Sequence, residues 1–412
     1  MIIPKFTVKR FTDFSIAFFM VTVVGFYYSS YMSVIWIGYF ILAIALTLNL
    51  LYHKNCGSSG AQMIGLMLLF VFWSFMTSLW AYDYTYTIDK LNLLFKTITV
   101  TIMLAILLTS LKRVDLALYW LSVGAVIYGL IYLSYVDLSK LSTARIAATS
   151  SSSDIGGLPN YNVVSLYDAL AAIYFMGKTL QKDLSNKYYK VATLILLLTA
   201  VACVFIFGSR KSIIMLVFGF LCFLLGSNIK SSMRLRLLIL CAVAVVIALI
   251  LLPDSYVQYI FSRFTGLGNS QGNLDAGDKG RVKLLKYGLE FMTIHPVWGI
   301  GFFNFTPLMG NTTGDYLYAH NNFIETITDI GIIGFIIYYS ASFIPLKKGY
   351  RLAKNNIFIK TLLVMSVVNI IGQIFIVTLL DRVSWLLITI VYIGVGIACR
   401  NNKTSFLQQS YA

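Results

Sequence analysis

Apolar stretches of about 20 residues recur along the whole chain, separated by short polar connections. A helix rises 1.5 Å per residue, so about 20 residues cross the ~30 Å hydrocarbon layer of a bilayer. The pattern predicts an all-α integral membrane protein of about twelve spans. We place them at residues 13–29, 31–51, 61–80, 91–111, 115–135, 162–180, 189–207, 211–227, 235–252, 322–344, 358–380 and 382–399.

The composition supports a single polytopic membrane domain over residues 1–412. Hydrophobic residues make up 58% of the chain and charged residues 12%, whereas soluble domains are roughly one-quarter charged. A net charge of +16 would suggest a nucleic-acid partner for a soluble protein. Here the basic residues lie mostly in short connections between spans, so we expect no nucleic-acid partner.

The basic residues indicate the topology, because loops rich in lysine and arginine stay on the cytoplasmic side. With the N-terminus on that side, alternate connections hold Lys112 and Arg113; Lys178, Lys182, Lys187 and Lys190; Lys230, Arg234 and Arg236; and Lys347, Lys348, Arg351, Lys354 and Lys360. The opposite connections, such as 81–90 and 136–161, carry less positive charge. Both termini are therefore predicted to be cytoplasmic.

The longest hydrophilic segment, residues 253–321, falls on the extracytoplasmic side in this topology. Connections of this length are usually functional. We expect a partly helical loop that carries part of the active site.

Four segments contain the candidate chemistry. YAHNNFIETITDIGIIGFIIY, from Tyr318, places His320 just before a helix with a Gly-x-x-Gly pair. FGSRKSIIML, from Phe207, contains a Ser-Arg pair at a helix mouth, and GRVKLLKYGLEFMTIHPVWGIGFFNF, from Gly280, contains Gly-Arg, His-Pro and Gly-x-Gly elements. GGLPNYNVVSLYDALA, from Gly156, is a looser match. In this order the segments resemble the O-antigen ligase and polymerase superfamily of bacterial membrane glycosyltransferases.

The resemblance implies transfer of a glycan from undecaprenyl diphosphate at the outer face of the bacterial inner membrane. Arginine binds phosphate oxygens by paired hydrogen bonds, so Arg210 and Arg281 are candidates to hold the diphosphate. An imidazole with an ordinary pKa near ~6.5 can accept the proton of an attacking hydroxyl, which makes His320 the candidate base. We find no Asp-x-Asp pair for a divalent cation, and expect neither a metal nor a cofactor.

Further candidates for substrate binding are Lys211, Asn321, Glu325 and Asn160. Lys211 is explained equally well by a snorkelling side chain, and Asn160 by loop structure alone. On a helix that starts at Asn321, Glu325 would lie one turn along and face the same groove. Helix capping by Asn321 is the alternative.

The acceptor separates the remaining functions. A second lipid-linked glycan gives a polymerase of capsule, exopolysaccharide or O-antigen, which we favour, whereas lipid A core gives a ligase. A flippase for lipid-linked oligosaccharide would also need basic residues in a membrane cavity, but not His320. Membrane lipid is an expected partner, and a separate chain-length regulator is left open.

Overall fold

The structure, a computed structural model, describes residues 5–26, 32–53, 57–135, 161–181, 187–225 and 276–410, with isolated positions between 232 and 246. These ranges contain helices and connecting turns and no strand. The helices are α1 (Lys5–Gly25), α2 (Met32–His53), α3 (Ser58–Met76), α4 (Tyr84–Leu107), α5 (Leu111–Ser134), α6 (Tyr161–Thr179), α7 (Lys187–Phe207), α8 (Arg210–Leu225), α9 (Ala276–Phe291), α10 (Phe305–Thr313), α11 (Asn322–Ala353), α12 (Ile357–Gly372) and α13 (Arg382–Ser410).

The helices confirm the all-α membrane class predicted from the sequence. Within the described ranges, seven helices are long and apolar enough to cross a membrane. Eleven of the twelve predicted spans overlap a helix; the ninth, 235–252, is described only at isolated positions. The long hydrophilic segment contributes α9 and α10, so the described part of it is partly helical, as expected.

Five predicted span ends differ from the helix ends by about two turns or more, at the starts of α1 and α4 and at the ends of α11, α12 and α13. The first span was placed at 13–29, but α1 begins at Lys5, because a helix continues through polar residues that a hydropathy pattern leaves out. The eleventh span was placed at 358–380, but α12 ends at Gly372. There the chain turns to hydrogen-bond with Asn322, whose backbone N–H donates to the Gln373 carbonyl and whose Oδ1 accepts from Thr378 N.

Helix α6 lies at the centre of the bundle and packs against α5, α7, α8 and α12. Almost every residue from Val164 to Lys178 is buried, which is typical of a helix surrounded by other helices rather than by lipid. Helices α1, α2 and α5 form one flank, and α3, α4, α11 and α13 form another. One continuous apolar core joins these elements.

Basic residues predicted to be cytoplasmic meet acidic partners at one end of the bundle. Arg113, at the start of α5, donates to Asp13 at 2.8 Å, and Lys178, at the end of α6, donates to Asp115 at 2.5 Å. Lys360, at the start of α12, donates to the carbonyl of Phe223 near the end of α8. The starts of α6, α8 and α11 therefore lie at the opposite end, where the candidate site is found.

Helix α11 is interrupted at Gly331, where the backbone leaves the helical region at φ 67° and ψ −176°. Residues 296–301 bond to the interruption: Gly301 N donates to the Asp329 carbonyl at 2.9 Å, and Ile332 N donates to the Pro296 carbonyl at 3.0 Å. Trp73 Nε1 donates to the Ile330 carbonyl at 2.9 Å. Since a broken helix exposes backbone groups that lipid cannot satisfy, this loop makes the interruption stable within a membrane.

Candidate functional site

His320 lies in the connection between α10 and α11, one of two described non-glycine residues with a left-handed backbone. Its φ is 53°, a conformation that is uncommon for side-chain-bearing residues and is concentrated at functional sites. Beneath it, Leu284, Phe291, Phe305, Met309 and Ala319 form a small apolar core. This core packs α9 and α10 against Ala319, the residue before His320, so the backbone that bears the half-buried imidazole is held by packing.

The two asparagines that follow His320 fix the start of α11. Asn321 is the N-cap, and its Oδ1 accepts from Phe323 N at 2.9 Å and Ile324 N at 3.2 Å. The capping alternative for Asn321 is therefore present; a contact to substrate stays a prediction. The fully buried Asn322 donates through Nδ2 to Tyr339 Oη and Gln373 Oε1, at 3.0 and 3.1 Å. Together they anchor the residue before them.

Two cations act on His320. Burial first, and then the positive charges of Arg281 on α9 and Lys211 on α8, lower the pKa of His320 to about 4. Residues from three segments that are distant in sequence therefore interact electrostatically in the fold. With this pKa the imidazole is neutral at physiological pH and has a free lone pair to accept a proton.

An aromatic neighbour covers one side of the imidazole. The ring centroid of Tyr318 lies 3.9 Å from that of His320. Burial raises the pKa of the Tyr318 phenol, so the hydroxyl stays protonated. Tyr318 keeps an exposed fraction of 38%, and His320 is half-buried, so the pair is accessible to solvent.

Arg210 is the first residue of α8, directly before Lys211. The turn in front of it holds Ser209, which donates to Asn162 Oδ1 on α6 at 3.1 Å. The half-buried Arg210 therefore lies at the start of the same helix as Lys211, whose charge acts on His320. Asn160 lies outside the described residues.

The helical spacing predicted that Glu325 would face the same groove as Asn321. In the structure Glu325 is instead fully buried, and its Oε2 accepts from Ala319 N at 2.6 Å. One turn along α11, the equally buried Asp329 accepts from Phe305 N at 2.7 Å. The charge of Lys90 on α4 acts on Glu325. Sequence reasoning missed Asp329 and Lys90, although a carboxylate four residues after Glu325 in an apolar helix was a visible signal.

The arrangement defines a multi-pass membrane protein with a cationic site around a neutral histidine. Residues 194–339 match the family model described as O-antigen ligase. The match runs from α7 into α11 and contains His320, Arg210, Arg281, Lys211, Asn321 and Glu325; Asn160 precedes it. It confirms the resemblance noted in the second half of the chain and supports a role in O-antigen or related polysaccharide assembly. No curated protein matched the sequence.

Replacing Arg281 by glutamine is expected to raise the pKa of His320 from about 4 toward its ordinary 6.5, since one of the two positive charges that oppose protonation is removed. Below the new pKa the imidazole is protonated; above it the imidazole is neutral. The chain has three histidines, so NMR titration of histidine-labelled protein resolves the change. Lys283→Gln is the matched control, because Lys283 pairs with Asp315 at 3.1 Å. An equal rise in both variants would contradict the assignment.

Proposed function

We propose that this protein polymerises oligosaccharide repeat units linked to undecaprenyl diphosphate into a surface polysaccharide, at the outer face of the bacterial inner membrane. The observation that carries the proposal is that the charges of Arg281 and Lys211 act on His320, whose pKa is lowered by burial and by these charges. Cations for a diphosphate and a base for a hydroxyl are the two groups that this transfer requires. The match to the O-antigen ligase family supports the same chemistry.

In the proposed reaction the donor diphosphate binds between α8 and α9. Arg281, Arg210 and Lys211 supply the positive charge, and the guanidinium groups offer paired hydrogen bonds to phosphate oxygens. As the bond between the anomeric carbon and the diphosphate oxygen breaks, its electron pair stays on the leaving group. The same cations stabilise this developing negative charge without a metal ion.

His320 accepts the proton of the acceptor hydroxyl while the hydroxyl oxygen forms the new bond to the anomeric carbon. Attack from the face opposite the diphosphate inverts the anomeric configuration. Before the donor binds, burial and then the charges of Arg281 and Lys211 lower the pKa of His320 to about 4 and make the imidazole a weak base. A bound diphosphate neutralises these charges and so raises the pKa, which makes His320 a stronger base in the donor complex.

The acceptor distinguishes polymerase from ligase, and both use the same donor chemistry. We expect purified protein, reconstituted with lipid-linked repeat units alone, to form a ladder of products that differ by one repeat on a gel. A product that forms only when lipid A core is supplied would replace the polymerase assignment with that of a ligase. Movement of donor across a vesicle membrane, with no product from either acceptor, would instead favour a flippase.

A further inference from the structure

Among the residues that the structure describes, two non-glycine residues have left-handed backbones, and each lies in a segment that is hydrogen-bonded to a buried carboxyl group of α11. Phe303 has φ 62° and His320 has φ 53°. The amide of Ala319, one residue before His320, donates to Glu325 at 2.6 Å. The amide of Phe305, two residues after Phe303, donates to Asp329 Oδ1 at 2.7 Å. Left-handed backbone at such residues is strained and persists only where the surroundings over-determine it.

The two carboxylates lie on one face of α11, four residues apart, and both are fully buried. Glu325 Oε1 and Asp329 Oδ2 have no hydrogen-bond partner among the described residues. Burial of two acidic groups is costly, and apolar side chains would pack this face at lower cost. The cost of burying Glu325 and Asp329 is explained if their oxygens accept hydrogen bonds from backbone amides, which apolar side chains cannot do.

The two segments they hold meet at the site. The 303–305 turn leads into α10, which packs with α9 through Phe291 and Phe305, whose ring centroids are 5.6 Å apart. Helix α9 carries Arg281, whereas the segment at Ala319 carries His320. The position of the base relative to its cation therefore depends on where Glu325 and Asp329 fasten the two segments.

We propose that Glu325 and Asp329 are positioning residues, whose carboxylates fasten the strained segments at His320 and Phe303 so that the imidazole and Arg281 face one donor. This inference rests on the proposed function and assigns no contact between either carboxylate and substrate. It replaces the expected substrate-binding role of Glu325.

Removing the Glu325 oxygen that accepts from the Ala319 amide is expected to lower the rate constant of glycan transfer and to leave donor binding nearly unchanged. For Glu325→Ala we expect kcat to fall by about 100-fold, because a reacting group displaced by about 1 Å loses that much, with KM for the donor within about threefold. Glu325→Gln keeps an oxygen for the Ala319 amide and should retain most of the activity. Glu290→Ala, at an exposed position on α9, is the control and should resemble wild type.

A second readout needs no turnover. In Glu325→Ala the released His320 should leave its buried, cationic surroundings, and its pKa, observed by NMR, should rise from about 4 by one unit or more. If the alanine variant does not fold, Glu325→Asp carries the same test, because it keeps the acidic group and withdraws the oxygen by one methylene. Unchanged kcat and unchanged pKa in a folded variant would overturn the proposal. Inactive wild-type protein would count against the proposed function alone, since the titration still tests the positioning.

Discussion

Replacing His320 by glutamine is expected to reduce glycan transfer by ~10²-fold or more, since general-base catalysis contributes about that much. Glutamine has a similar volume and can hydrogen-bond, but it cannot accept the proton of a sugar hydroxyl at neutral pH. Arg281 and Lys211 remain in place, so binding of the diphosphate should persist. The measurement is the single-turnover rate of product formation at saturating donor, together with the affinity for the donor.

The matched control for this variant is His295→Gln. His295 is exposed in the turn after α9, within the same loop segment, and it is not among the groups that act on His320. We expect wild-type rates from it. If His320→Gln transfers glycan at the wild-type rate, His320 is not the base and the flippase hypothesis gains weight.

Gly331→Ala is expected to destabilise the folded protein far more than a methyl group added at an open position such as Gly65. The backbone at Gly331, φ 67° and ψ −176°, falls in a region populated essentially by glycine alone. A Cβ there would lie 2.2 Å from the Val297 carbonyl oxygen, which belongs to the loop that satisfies the interrupted helix. Because neither backbone can move without breaking these hydrogen bonds, we expect a loss of ~3 kcal/mol or more.

Folded protein after detergent extraction, followed by size exclusion and by thermal melting, checks this expectation. Gly65→Ala on α3 is the control, because its Cβ would meet nothing within 4 Å. Alanine is favoured over glycine in a helix, so this control should melt at or above the wild-type temperature. An equal melting temperature for Gly331→Ala and wild type would show that the interruption in α11 is not fixed by the glycine.

The membrane helices were predictable because hydropathy depends on local composition, and a span needs only length and apolarity. The interruption at Gly331 was not, since the sequence is apolar on both sides of it and glycine is tolerated within membrane helices. The end of α12 was also missed. Its position depends on Asn322, fifty residues upstream of Gly372, and hydropathy contains no information about such a contact.

Motif order grouped Arg210, Arg281 and His320, and left Lys211 as either a substrate-binding or a snorkelling side chain. In the structure the charges of Arg281 and Lys211 act on His320. The prediction that Glu325 faces a groove did not anticipate its burial, because helical spacing gives the direction of a side chain but not what covers it. Lys90 was missed for a related reason. It lies on α4, more than two hundred residues before Glu325, and only the fold brings the two together.

In the proposed reaction the donor diphosphate binds where its charge reaches His320. The most direct test is NMR titration of His320 in the wild-type protein, with and without saturating undecaprenyl diphosphate. We expect the lipid to raise the pKa of His320 from about 4 by at least one unit, because the anion neutralises Arg281 and Lys211. An unchanged pKa at demonstrated saturation would place the diphosphate elsewhere and contradict the proposed reaction.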